Sequence, residues 1–349
     1  MDSNTVVRKE TKNKIRVDYE GKLSFKERLA KRLKSSNTWI KAIVNVFRFI
    51  LMLGVSYVII QPFITKIAAS FMTKADIVDA TVALIPKHPT GEIYKAIFVE
   101  NHYMQALLNT ALLSLLCAFI QTLVACLIGY GLAKFKFKGN SVVMLVVVLT
   151  MIIPHSTLKL AMEKQFMEFD FFKIMSLNYK GPIELIFGKS LRLTDTYWPL
   201  IILSLTGLSF KNGLYIYLMR QFFKGVPDEL EESAYVDGSG VFRTFFQIIL
   251  PLSVPMMITI FLFSFSWQWT DEFYTTTFFF STINKTYLMP DIYTVIPDSL
   301  RADAFAGKTL WENVIQNTAG MMIIMPLVIV YLFCQRYLVQ GIERSGLVG

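Results

Sequence analysis

Six long apolar segments, almost free of charge, constrain this chain more than any other feature. They run from about Ile43 to Ile67, Ala106 to Leu132, Val142 to Met162, Tyr197 to Met219, Gln247 to Thr270 and Gln316 to Phe333. A helix that crosses a bilayer needs about 20 predominantly apolar residues, within a range of roughly 17–25. None of the six alternates apolar and polar residues over its length, which argues against barrel strands. Helices are the remaining way to satisfy every backbone group inside lipid. Composition agrees, because only 17% of residues are charged and 54% are hydrophobic, against about 25% charged in an ordinary soluble domain. The expected fold class is therefore all-α, a polytopic membrane protein with six transmembrane helices.

The net charge is +9, from 35 Lys and Arg against 26 Asp and Glu. A basic balance can signal nucleic acid, an anionic substrate or the inner face of a membrane. Its distribution decides. Residues 1–41 form a basic arm, too long for the leading region of a signal peptide. Within it, Leu23 to Leu33 is a candidate helix lying on anionic headgroups. Lys134, Lys136 and Lys138 follow the second segment, Arg220, Lys224 and Arg243 follow the fourth, and Arg336 and Arg344 follow the sixth. The positive-inside rule then puts both termini and these short loops in the cytoplasm. The expected organisation is an arm at 1–41, a permease-like domain at 42–338 with a loop at 220–243, and a cytoplasmic tail at 339–349. The basic balance is a topology signal, and no nucleic-acid partner is expected.

Catalytic chemistry finds little support. Cys117, Cys126 and Cys334 sit in or beside apolar runs and read as small hydrophobes. His88, His102 and His155 lack metal-ligand spacing, so no metal and no cofactor is expected. No phosphate-binding G-x-x-x-x-G-K-[ST] loop occurs; Gly188, Lys189 and Ser190 match its end, but Ile183 stands where the first glycine belongs. Lys211 is the charge that stands out. At mid-membrane an unpartnered lysine costs at least about 2.5–3.5 kcal/mol on insertion scales. It reads as a pore-facing donor to substrate with Asn212 beside it, or as a contact to a backbone carbonyl or partner subunit, or as a snorkelling side chain. Trp267, Trp269, Phe273 and Tyr274 stand near the outer end of the fifth segment, where aromatic faces stack on sugar rings or populate the interfacial belt. Trp269 is the candidate substrate contact among them; Asp271 and Glu272 read as ligands of sugar hydroxyls or as residues that simply face water, with water the better reading. Pro154, Pro251, Pro255 and Pro326 mark bends used in gating or kinks absorbed by packing.

The most informative stretch is Arg220 to Gly240. Pro227 suits a helix start. Asp228, Glu229, Glu231 and Glu232 load the first turn with negative charge that complements the helix dipole. Leu230, Ser233, Ala234 and Asp237 share one face by spacing. Gly238 is placed to stop the helix in a left-handed conformation, and a second helix is expected from about Val241. A short, acidic, small-faced helix of this kind suits close docking of another protein.

Glu232-Ser-Ala-Tyr-Val-Asp-Gly238, followed by Phe245, Ile248, Leu250, Pro251 and Pro255, resembles the EAA loop of ABC importer permeases, with Ser233 for the first alanine. Asn109, Gly129–Ala133, Phe137–Gly139, Ile153-Pro154, Arg220–Phe223, Trp269–Phe273 and Gln335–Gly341 resemble the carbohydrate-uptake, maltose-transporter-like class. Thr270 stands where that class usually has Asn. The similarity covers roughly residues 43–349. It implies the type I importer fold in a bacterial or archaeal plasma membrane. It also implies half of a translocation pore for a sugar or oligosaccharide, working by alternating access. The implied partners are a second permease, two ATPase subunits and an extracytoplasmic solute-binding protein. Glu232, Ser233, Ala234, Asp237 and Gly238 become the coupling residues, and the chain itself is expected not to be an enzyme. The competing class is a self-contained secondary transporter or channel. Against it, no Asp or Glu lies inside any of the six segments, and ion-coupled carriers commonly need one.

Overall fold

The computed structural model describes residues 8–10, 16–18, 36–170, 181–281, 285–301 and 307–346. The chain divides into two units, Met1–Thr65 and Lys66–Gly349.

In the first unit, strand β1 (Arg8–Glu10) pairs antiparallel with β2 (Arg16–Asp18), Arg8 opposite Asp18. This small ladder is a departure from the all-α expectation. The expected interfacial helix at Leu23 to Leu33 lies outside the described residues. Helix α1 (Ser36–Ala69) begins here. At 1.5 Å per residue its 34 residues extend about 51 Å. Apolar side chains surround it, as expected of a helix whose solvent is lipid.

The second unit is helical among its described residues. Helices α2 (Lys74–Val78) and α3 (Glu92–Glu100) precede the long α4 (Tyr103–Lys134). Then come α5 (Asn140–Ile152), α6 (His155–Met167), α7 (Pro182–Phe187), α8 (Trp198–Leu205) and α9 (Asn212–Lys224). Helices α10 (Glu229–Val236), α11 (Val241–Thr244) and α12 (Leu250–Trp269) follow, with a π turn at Phe245–Ile249 joining the last two. Helices α13 (Glu272–Phe278), α14 (Met289–Thr294) and α15 (Lys308–Gly346) complete the chain.

Helix α4 is the central post, packed by α8, α9, α12 and α14. Its buried residues other than Leu132 fall into two adjacent rows at spacing four: Leu113, Cys117, Gln121, Ala125 and Gly129, beside Ala106, Thr110, Ser114, Ala118, Thr122, Cys126 and Tyr130. Most are small, which lets helices approach closely where lipid supplies no hydrophobic drive. A Cβ at Gly129 would lie 2.6 Å from Met219 Cβ, so α9 crosses α4 there at backbone distance. Cys117 and Cys126 are free, fully buried members of these rows.

The expected six transmembrane helices, the third interrupted at Pro154, are not all present as long apolar helices among the described residues. Among the described residues four helices are long and apolar enough to cross: Trp39–Ala69, Tyr103–Lys134, Val241–Trp269 and Lys308–Tyr337. A fifth is counted if α5 and α6, bent by 100°, form one broken span. Pro154 explains that bend: it has no N–H to donate, and it drives Ile153 into extended backbone (ψ 119°). The expected fourth span is two short helices, α8 and α9. Between them Gly207 and Lys211 adopt left-handed φ of 72° and 66°. The chain reverses its local hand twice within five residues, and no helix runs through such a stretch.

Candidate functional site

Two places break regular helix beside a span. The first is the loop around α10. Glu229, Glu231 and Glu232 occupy its first turn. Its end is closed as expected, with Gly238 at φ 80°. Gly238 N–H donates to Tyr235 O at 3.0 Å and Ser239 N–H to Ala234 O at 2.9 Å, satisfying carbonyls the helix leaves free.

Lys134, at the end of α4, clamps the entry. Its Nζ donates to Val226 O at 2.6 Å and lies 2.5 Å from Asp228 Oδ1, with only 7% of its side chain exposed. The hydrogen bond from Lys134 and its charge hold the Asp228 carboxyl below the usual range, and Lys136 adds to this. The ring of Tyr130 lies 4.7 Å from Phe245 and 5.4 Å from Phe223, joining both flanks of the loop to α4.

Glu232, Ser233, Asp237 and Gly238 are exposed. Ala234 is not: it is 4% exposed and, with Glu231, turns into its own chain. The face expected from spacing is therefore split. Ala234 serves close packing within this chain, and the outward side is Glu232, Ser233 and Asp237, flanked by the exposed apolar Val236 and Phe242.

The second place is the α8–α9 break, which meets the α5–α6 bend. A Cβ at Gly213 would lie 2.5 Å from Thr150 Oγ1 and 2.9 Å from Val147 O, so α9 begins directly against α5. Between them is a cavity of about 120 Å³ lined by Thr150, His155, Ser209, Phe210, Lys211 and the first turn of α9. Lys211 Nζ lies 4.7 Å from the Phe210 ring centroid and 4.9 Å from that of Trp267. The His155 ring meets Phe210 edge-on at 4.9 Å.

The break is held by buried Gln121. Its Nε2 donates to Ser204 Oγ and Ser209 Oγ, each at 3.1 Å, and its Oε1 accepts from Ser264 Oγ at 2.6 Å. One amide thus ties α4 to the end of α8, to the break itself and to α12.

Lys211 therefore stands at a helix break, not within a continuous span. Asn212 is fully buried, and neither polar atom of its side chain has a partner. Trp269 is 3% exposed and donates its indole N–H to Ile323 O at 2.9 Å. It is a core residue, and Trp267, two positions earlier, faces Lys211 instead. Asp271 does not simply face water. Its carboxylate accepts from Tyr274 N–H at 3.2 Å, capping α13, and burial pushes it up to about 7. Sequence reasoning missed Gln121, Lys134 as a clamp and Glu231 as a buried acid. An amide deep inside an uncharged apolar run was the available signal for Gln121.

Known proteins resemble this chain at low identity. The chain is 26% identical over 308 residues to the galactooligosaccharides transport system permease protein GanQ of Bacillus subtilis (strain 168), covering 87% of this chain and 95% of that one. It is 26% identical over 310 residues to the polygalacturonan/rhamnogalacturonan transport system permease protein YtcP of the same organism, covering 87% and 97%. Its fold is that of a chain in the crystal structure of a bacterial ABC transporter involved in the import of the acidic polysaccharide alginate. The TM-score is 0.63 at 21% identity, over 87% of this chain and 98% of that chain. A family match spans residues 121–344, from Gln121 through the break, the loop and α12 into α15. The chain belongs to the binding-protein-dependent transport system inner membrane components.

Proposed function

We propose that this chain is one permease subunit of an ATP-driven importer for a sugar or oligosaccharide. The observation that carries the reading is the clamped α10. It is a short acidic helix pinned at its entry by Lys134 and at its end by Gly238, with an outward side of Glu232, Ser233 and Asp237. A helix fixed at both ends moves as a body when pushed. Force on α10 passes through α11 and the π turn into α12, which carries Ser264 and Trp267 to the break. The permease names of GanQ and YtcP support sugar as cargo. The termini and the α10 loop are cytoplasmic in this reading. A second permease completes the pore, two ATPase subunits dock below, and a solute-binding protein delivers cargo outside. No cofactor is needed in this chain. Of the expected contacts, Lys211 remains a cargo residue, Trp267 replaces Trp269, and Asn212 supports the start of α9.

The test is reconstitution with the ATPase pair. Glu232→Arg is expected to keep ATP hydrolysis and lose uptake; normal uptake in that variant would remove the coupling role. Transport by the isolated chain, with no ATPase co-purifying, would instead favour a self-contained carrier.

A further inference from the structure

We infer that the cavity at the α8–α9 break is an anion site, and that the cargo it admits carries a carboxylate, as an oligouronide does. The inference rests on the sugar-import reading above and names the class of sugar.

Lys211 sets the charge. Among the described residues no carboxylate lies within ion-pairing distance of its Nζ. Its neighbours are the faces of Phe210 and Trp267. Aromatic quadrupoles attract an ammonium but carry no net charge, so they hold it in place without neutralising it. The backbone contributes in the same sense. Helix α9 starts at the cavity with no side-chain cap, and Gly213 and Leu214 of its first turn line the wall. The N-terminal end of a helix carries partial positive charge and favours an anion. No Asp or Glu lines the cavity. Asp271 lies on a separate small cavity behind Phe210 and Trp267, with its carboxylate turned to the N–H of Tyr274. A fixed lysine and a helix start thus share one wall, and nothing opposes them.

The rest of the lining suits a sugar ring. Phe210 offers an apolar face, and the Thr150 and Ser209 hydroxyls, already bonded to Val147 O and to Gln121, make the wall beside it polar. The same cavity without Lys211 would serve a neutral sugar equally well; with it, a neutral sugar leaves the ammonium unmatched. Specificity follows from that mismatch more than from the added attraction. The names of the relatives do not decide the matter, since GanQ is named for galactooligosaccharides and YtcP for polygalacturonan.

The experiment uses the complete transporter, both permeases with the ATPase pair and the solute-binding protein, in proteoliposomes. Three probes are compared: trigalacturonate, its fully methyl-esterified form, which keeps the shape and loses the charge, and a neutral galactotriose. Each is supplied with saturating binding protein. The expected result is uptake of trigalacturonate over its ester by about tenfold to a hundredfold, the range of a charge-assisted hydrogen bond. Lys211→Met abolishes that preference and Lys211→Arg retains most of it, with complex assembly checked by co-elution. Equal uptake of acid and ester, uptake of galactotriose alone, or a preference that survives Lys211→Met would each overturn the anion site. The first two leave the sugar importer standing. If the complex assembles and hydrolyses ATP but moves none of the three, the sugar reading falls and this one falls with it. If Lys211→Met prevents assembly, the lysine is paired with another subunit and the anion site is likewise overturned.

Discussion

The loop around α10 and the break between α8 and α9 are both short irregular stretches beside a span, and they differ in how much distant side chains hold them. The loop is closed by neighbours in sequence: Gly238 takes the left-handed turn, and Ser239 N–H reaches back to Ala234 O. Its distant ties run to the end of α4, through Lys134 and the Tyr130 ring. The break has local bonds of its own, Leu208 and Ser209 N–H to Leu203 O, each at 3.0 Å, and adds remote ties to them. Ser204 and Ser209 are fastened by Gln121, and α9 is seated by Gly213 against α5. Local closure yields an element that can swing as a body. Remote closure yields a site whose shape depends on three other helices and changes when they move. A transport subunit needs one of each.

The largest effect that would sharpen this contrast is at Gly213. A leucine there would drive into Thr150 Oγ1 and the carbonyl of Val147, and backbone cannot yield as a flexible side chain can. Overpacking costs about 1–3 kcal/mol, and Gly213→Leu belongs at the upper end. The thermal midpoint of the purified chain should fall, and uptake should be lost with it. An unchanged midpoint would mean that α5 and α9 are not seated together. Gln121→Leu comes next. It strips Ser204, Ser209 and Ser264 of a shared partner, and a buried unsatisfied group costs about 1–3 kcal/mol. Stability should fall by about 2 kcal/mol. Uptake should fall further than stability does, because the Ser209 side of the cavity loosens. A variant that transports normally would show that the break closes without Gln121.

The same contrast explains what could be read from sequence. The α10 signals all lie within a dozen residues: Pro227, the acidic first turn and Gly238. Local chemistry was enough to place them. The bend at Pro154 was visible for the same reason. The second break was not, because left-handed Gly207 and Lys211 lie inside an apolar run, and the ties from Gln121, 83 and 88 residues away from its serine partners, leave no local mark. The apolar content of Tyr197 to Met219 therefore read as one helix. Trp269 failed for a different reason. Residues two apart on a helix point roughly 200° from each other, so periodicity separates Trp267 from Trp269 but does not say which one faces the cavity. Packing against Phe265 and Ile323 settles that. Ala234 is the same case within α10: spacing groups it with Ser233, and burial divides them.

At the loop the expected effects are smaller and confined. Gly238→Val forces a branched side chain into the left-handed region, at about 1–2 kcal/mol. That cost falls on the last turn of α10. The thermal midpoint should barely move, while uptake drops and ATP hydrolysis persists. Gly238→Asn should recover much of the uptake, since Asn tolerates that backbone region. If valine and asparagine behaved alike, the left-handed turn would not be what holds the helix end.

The smallest effect is the titration of Asp228, and its sign is fixed by the structure. Lys134 and Lys136 hold this carboxyl below its ordinary value, which is about 3.9. A carboxyl depressed by folding contributes stability above its unfolded pKa and loses that contribution as pH falls through its folded pKa. The tie between α10 and α4 should therefore be constant from pH 8 down to about 4 and weaken only below that. The weakening should be partial, because Lys134 keeps its bond to Val226 O when Asp228 is protonated. Hydrogen-exchange protection factors for the first turn of α10 measure this directly. Asp228→Asn should show the low-pH value at every pH, with no further step on acidification. A step of equal size in wild type and variant would assign the titration to another group. Loss of protection already between pH 8 and 5 would show that the clamp at the loop entry is not the Lys134–Asp228 pair.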